Sequence, residues 1–135
     1  MRSSRSKKPG PRGRRRADGS TAVTPDAFAV DATLALNAGT DPRAPGGEIT
    51  VELCGHWEHD GTCRWPHNTR IDSAVSPAVL RTVVVVRAGE RTEIADRIEA
   101  ALRRDLRWSV VQIATGAIGD GEERELADRL ARLLS

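Results

Sequence analysis

The alternation of apolar and polar residues predicts strands in the first half of the chain. Residues 27–36 and 48–57 place apolar side chains at every second position, which is the pattern of a strand with one buried face. For residues 27–36 an amphipathic helix is the competing interpretation. A loop rich in glycine and proline, residues 37–47, separates the two stretches. Asp60-Gly61 then favours a tight hairpin turn, with a return strand over residues 62–73.

In the second half of the chain, short apolar runs alternate with stretches whose apolar residues have helical spacing. Residues 79–86, which include four consecutive valines, and residues 108–113 are predicted to be strands buried on both faces. Residues 91–104 and 120–134 repeat apolar residues at helical spacing, so each is predicted to be a helix. Strand, helix, strand and helix in this order predict a right-handed crossover between two parallel strands.

Taken together, these elements predict an α/β fold of α+β character, a two-layer sandwich. Its mixed sheet would have about five strands, antiparallel in the N-terminal part and parallel in the C-terminal βαβα part. Both helices would pack on one face of that sheet. A chain of 135 residues suits one hydrophobic core, so we expect a single compact domain over residues 25–135.

The charge is distributed unevenly along the chain. Eight of the 21 basic residues lie in positions 1–16, which contain no acid, whereas the remaining 13 face all 19 acids. Residues 1–24 lack the apolar groups needed to offset the entropy of ordering, so they are predicted to form a disordered basic tail. Residues 1–16 could bind the phosphates of a nucleic acid. A solubilising extension without a partner is the alternative.

No targeting or membrane segment is expected. A secretory signal needs an apolar run of about 7 to 15 residues after its basic region, and a membrane span needs about 18 or more. Acidic residues interrupt the only candidate run. We therefore expect a cytoplasmic protein that does not enter a membrane, in which two cysteines are more often thiols, metal ligands or redox groups than a structural disulfide.

The chemistry-bearing residues cluster in one short segment. Both cysteines, all three histidines and two of the three tryptophans lie between Cys54 and His67. Thiolate and imidazole are the ligands that zinc prefers. In a hairpin turning at Asp60-Gly61, opposite residues share a face and successive residues alternate. This register predicts His59 on one face and four zinc ligands on the other: Cys54, His56, Cys63 and His67.

The same register leaves the coordination number open. Four ligands would make a closed tetrahedral site, but a flat ladder separates Cys54 from Cys63 by roughly 10 Å, so the strand pair would have to bend. A three-ligand site with an open position, made of His56, Cys63 and one of Cys54 or His67, is the variant. A disulfide between the cysteines is disfavoured, because bonded cysteines need Cα atoms within about 7 Å.

The leading functional hypothesis is a small zinc-binding protein with a structural, regulatory or nucleic-acid-associated role. One alternative is a small enzyme with a metal or cysteine centre on the same hairpin, in which Glu58 or His59 transfers protons. Another is an interaction module without metal, in which the hairpin is the edge that binds a protein partner. Trp57, Trp65 and Arg64 could also stack on unpaired bases, although core packing is the simpler role for Trp65. The sequence leaves the oligomeric state open.

Overall fold

The computed structural model describes residues 25–55 and 64–134. Four strands and three helices follow one another in these ranges: β1 (Pro25–Leu36), α1 (Ala44–Cys54), β2 (His67–Asp72), β3 (Ala78–Arg87), α2 (Arg91–Arg104), β4 (Trp108–Gly116) and α3 (Glu122–Ala131). The strands form one sheet in the order β2-β3-β1-β4, and each neighbouring pair is antiparallel.

The two crossover connections share one geometry. α1 joins β1 to β2, and α2 joins β3 to β4; in both cases the joined strands point the same way but a third strand lies between them. This is the ferredoxin-like βαββαβ arrangement, a pair of split βαβ units, here followed by α3. β1 is therefore an interior strand that pairs with β3 on one side and with β4 on the other.

The prediction of a mixed sheet of about five strands with a parallel βαβα part is wrong. β3 and β4 do run in the same direction with α2 between them, but β1 inserts between them and pairs with both. β1 is buried on both faces at Phe28–Val30, so a neighbour on each side suits it. The order of residues along the chain shows which strands exist, whereas the neighbours of each strand depend on packing.

The predicted strand over residues 48–57 is also wrong, because residues 48–54 belong to α1. Ile49 and Leu53 are four residues apart, so they lie on one helical face, and both are buried. Pro45 occupies the first turn, where its missing N–H costs nothing. Gly55 ends the helix with φ of 85°, and its N–H donates to the carbonyl of Val51 at 2.8 Å.

The predicted hairpin fails with that strand. Its outgoing arm is a helix, and of its return arm over residues 62–73 the structure has β2 (His67–Asp72) as strand. The turn at Asp60-Gly61 lies outside the described residues. The cross-strand register that placed the candidate metal ligands on one face therefore has no basis in the structure.

Other predicted elements are confirmed. The helix predicted over residues 91–104 is α2, and the strands predicted over residues 27–36 and 79–86 lie within β1 and β3. Residues 108–113 do form a strand, but it lies at an edge of the sheet with Ser109, Val111 and Gln112 exposed, not buried on both faces. The last helix is shorter than predicted and ends at Ala131.

The sheet separates two apolar clusters. α1 and α2 cover one face and build the main core with the sheet, whose buried members include Phe28, Leu34, Ile49, Leu80, Ile94, Ile98 and Leu102. α3 lies on the other face, where a smaller cluster contains Val83, Val85, Ala127 and Leu130. The expectation that both predicted helices share one face is therefore wrong. Among the described helices, none has the length and apolar character to cross a bilayer.

A charged network holds α3 on the sheet. Arg81 of β3 lies opposite Asp31 of β1, and its Nη1 is 2.8 and 2.9 Å from the two carboxylate oxygens. Its Nε and Nη2 donate to Glu123 of α3 at 2.6 and 2.8 Å. Glu123 also accepts the N–H of Gly119 at 2.7 Å. These donors, Arg81 foremost, lower the pKa of Glu123 to about 2 from its ordinary value of 4.5.

We predict that Glu123→Gln lowers the free energy of unfolding by about 2 kcal/mol near pH 7. Because the pKa of Glu123 is lower in the folded chain, its stabilisation is complete above pH 4.5 and declines as the pH falls toward about 2. The difference between the variant and the native chain should shrink over that window in urea denaturation. Glu122→Gln is the control, since Glu122 is exposed and has no ion pair among the described residues. Equal losses in both variants would contradict this account.

Candidate metal centre

The structure places two of the four predicted zinc ligands. Cys54 is the last residue of α1, and His67 is the first residue of β2. His56 and Cys63 lie in the connection between these elements, outside the described residues. In the described ranges 25–55 and 64–134, no group of three or more His, Cys, Asp or Glu side chains converges as a metal site would require. Of the candidate centre, the structure therefore describes Cys54 and His67.

The ring of His67 is held by a hydrogen bond on each side. Its Nδ1 is 3.1 Å from the carbonyl oxygen of Trp65, and its Nε2 is 3.1 Å from Oγ1 of Thr50 on α1. A carbonyl oxygen can only accept, so Nδ1 carries the proton and donates it. In the neutral ring, Nε2 then has a lone pair that points at α1, toward Oγ1 of Thr50.

The hydroxyl of Thr50 has a second acceptor. Its Oγ1 is also 3.1 Å from the carbonyl oxygen of Gly46, one helical turn earlier. A hydroxyl has a single proton, so Thr50 cannot donate to Gly46 and to His67 at the same time. If another group took the Nε2 lone pair, Thr50 would still have a partner for its proton. The Thr50 hydroxyl therefore does not depend on His67 for a hydrogen bond.

Cys54 lies one helical turn beyond this contact. Thr50 and Cys54 are four residues apart on α1, so they share a side of the helix and are separated by about 6 Å along its axis. Cys54 is half-buried and packs against the main core. The predicted hairpin register placed Cys54 and His67 opposite each other on two strands. In the structure, the contact between Thr50 of α1 and His67 of β2 brings them to the same region.

Trp65 is a core residue, as the simpler interpretation predicted. It is 9% exposed, and the guanidinium groups of Arg64 and Arg97 lie 4.8 and 4.9 Å from its ring centroid. A ring buried in this way has no face available for stacking on a base. Arg97 also reaches Glu52 on α1, with Nε 3.6 Å from Oε2. The indole N–H has no acceptor among the described residues, although such a group usually has one.

Sequence reasoning missed the contributions of α1 to this region. Thr50 and Glu52 were assigned to a strand, where their side chains would have pointed away from Ile49 and Leu53. On a helix they reach β2 and α2 instead. Pro45 and Gly55, which mark the ends of α1, were the available signal.

An open cleft of ≈ 750 Å³ lies on the opposite face of the sheet, beside the start of α3. Its lining is charged and includes Arg70, Asp120, Glu122, Glu125 and Arg129. α1 and Cys54 belong to the layer on the other side of the sheet. The cleft is therefore separate from the candidate metal centre and supplies no catalytic group to it.

Comparison with protein family models, curated proteins and solved structures gives no match for this chain. The ferredoxin-like order of elements is found in proteins of many unrelated functions, so it carries no assignment here. The residues of the candidate site are therefore the remaining basis for a function.

The two buried tryptophans provide a test of the unpaired indole N–H. Trp108 is 4% exposed and donates to the carbonyl of Leu102 at 2.8 Å, whereas Trp65 has no acceptor among the described residues. Trp→Phe removes the same atoms at both positions. We expect Trp108→Phe to lower the free energy of unfolding by about 1 kcal/mol more than Trp65→Phe, because only the former leaves a buried carbonyl unpaired. Denaturation followed by circular dichroism measures this; an equal or larger loss at Trp65 would contradict it.

Proposed function

We propose that this protein binds one zinc ion through the connection between α1 and β2, with Cys54, His56, Cys63 and His67 as ligands. The role proposed for the metal is structural or regulatory: it would hold this connection in one geometry. The observation that carries the proposal is the orientation of His67, whose Nδ1–H is committed to a backbone carbonyl while its Nε2 lone pair is directed at α1.

This orientation is the one found in histidine ligands. Metal-bound histidines almost always donate their second ring N–H to a carboxylate, a carbonyl or water, which fixes the tautomer and the plane of the ring. The Trp65 carbonyl supplies that acceptor for His67. Zinc bound to Nε2 at about 2.0 Å would lie where Oγ1 of Thr50 now is, so the Thr50 side chain would have to turn away. The first ligand therefore needs no rearrangement of the strand.

The surroundings of Cys54 also suit a cation. The last carbonyl groups of a helix form the negative end of its dipole, and α1 has no basic residue in its last turn. Arg64, three residues before His67 in the sequence, carries a guanidinium group that lies over the Trp65 ring. Two thiolates would cancel the charge of Zn²⁺, so the loaded centre would not repel that guanidinium group.

The donor set selects the metal and the type of site. Two thiolates with two neutral imidazoles are a common tetrahedral set for zinc, whereas calcium and magnesium require oxygen ligands. A site closed by four protein ligands has no open position for a substrate, which favours a structural over a catalytic ion. Because binding requires the folded ends of α1 and β2, zinc would add to the free energy of folding.

A nucleic-acid-associated role is proposed for residues 1–16 alone. The aromatic side chains of the described residues, Phe28, Trp65 and Trp108, are all buried in the main core. The sheet face that carries α3 therefore lacks the stacking groups of sheet-type RNA-binding domains. The eight basic residues of the tail lie in a stretch without an acid, which supports an electrostatic and sequence-independent contact with phosphates.

Metal analysis of the full-length, untagged protein tests the zinc proposal. After gel filtration under reducing, chelator-free conditions we expect about one zinc per chain, lost in Cys54→Ser and in His67→Gln. His59→Gln is the matched control, since His59 is outside the ligand set, and should retain zinc. Thr50→Val should also retain it, because the metal displaces that hydroxyl. Absence of zinc from the native protein, or its loss in His59→Gln but not in His67→Gln, would refute the ligand assignment.

Deleting residues 1–16 tests the tail. We expect the melting temperature to change little and the affinity for double-stranded DNA to fall to the background of the acidic domain. For the full chain, the logarithm of the binding constant should fall linearly with the logarithm of the salt concentration, with a slope set by the phosphates contacted. Binding by the full chain that does not respond to salt would rule out this electrostatic role.

A further inference from the structure

The outer edge of β4 is open, and two exposed apolar residues lie on or beside this strand. Among the described residues, no strand pairs with β4 on the side away from β1. Leu106, just before the strand, is 90% exposed and Val111 within it is 59% exposed; they are the two most exposed large apolar side chains of the described ranges. An open strand edge can pair with a further strand, and exposed apolar side chains beside it favour such pairing.

β4 has only one of the features that keep an edge strand from pairing, a bulge. Trp108–Gly116 contains no charged residue and no proline, the usual protective residues of edges. Its one irregularity is a bulge, where Val111 has no partner on β1. Residues 108–113 have the composition of a strand buried on both faces, yet a single chain leaves them at the edge.

The backbone of β4 is oriented to accept another strand. Asn37 donates its N–H to the carbonyl of Arg107 at 2.9 Å, so odd-numbered residues at this end of β1 bond to β4. The alternation continues along β1, where Asp31 faces Ala114. The neighbours Ile113 and Thr115 therefore direct their N–H and C=O groups away from the sheet.

The charges at the two ends of β4 complement each other. Residues 103–107, at its start, contain three arginines and one aspartate, whereas residues 117–123, after its end, contain one aspartate and two glutamates and no basic residue. Asp120 and Glu122 have no ion pair among the described residues. In an antiparallel pair of two β4 strands, the basic end of each copy lies beside the acidic end of the other.

We infer that two copies of this chain associate through antiparallel pairing of their β4 strands. The product is a two-fold symmetric dimer with a continuous sheet of eight strands. The other edge is less suited, because β2 has six residues and includes the charged Arg70 and Asp72. β2 is at the far side of the sheet, so the candidate zinc centres lie at the outer ends of the dimer. Dimer formation therefore does not depend on the proposed zinc site.

Sedimentation of the full-length protein tests this inference. The native chain should form a dimer, and Val111→Lys should raise the dissociation constant by about tenfold or more, because it places a charge on the pairing edge. Val79→Lys is the matched control: Val79 is 47% exposed and lies on β3, an interior strand. It should leave the dissociation constant unchanged. Circular dichroism verifies that both variants are folded.

Hydrogen exchange supplies a readout that does not need a variant. The amides of Ile113 and Thr115 should become protected as the protein concentration rises through the dissociation constant, because their N–H groups find acceptors only in the dimer. A protein that stays monomeric at about 100 μM or above would overturn the inference. So would a dimer that Val79→Lys disrupts and Val111→Lys does not, or one in which these two amides exchange at the monomer rate.

Discussion

The pairing of β1 on both sides is the constraint on which the rest of the structure depends. β1 is the longest strand, and its burial on both faces at Phe28–Val30 suits an interior position. With β3 on one side and β4 on the other, each crossover helix must pass over a strand that it does not connect. This places β2 and β4 at opposite edges of the sheet. The candidate metal centre begins at one of these edges and the uncharged strand forms the other.

The same constraint explains why α1 can position a histidine on β2. α1 has to carry the chain from one end of β1 across β3 to the sheet edge, and its Thr50 side reaches the first residue of β2. The helix ends at Cys54, and Gly55 follows it in the left-handed conformation. Cysteine and histidine are brought to one region by the crossover itself, before any metal is present.

The sequence predicted single elements better than their arrangement. α2 was predicted with its bounds because Ala101 and Leu102 follow Ile98 at three and four residues, a spacing that fits a helical period and not a period of two. α1 was mistaken for a strand because Ile49, Val51 and Leu53 satisfy a period of two, while Ile49 and Leu53 also satisfy a helical one. Strand neighbours were not predictable, since they result from which faces pack together. Composition located the Cys/His segment, but the side-chain contacts around it depend on α1 and could not be derived from a hairpin.

The central claim is that the fold presents Nε2 of His67 to a metal before the metal binds. A long-range ¹H–¹⁵N correlation spectrum of the full-length protein, recorded without zinc and with one equivalent, measures the state of each ring nitrogen. The account predicts that His67 is protonated at Nδ1 in both states and that its Nε2 resonance moves to the position of a metal-bound nitrogen when zinc is added. A His67 ring protonated at Nε2, or one whose Nε2 resonance is unchanged while zinc binds elsewhere, would contradict it.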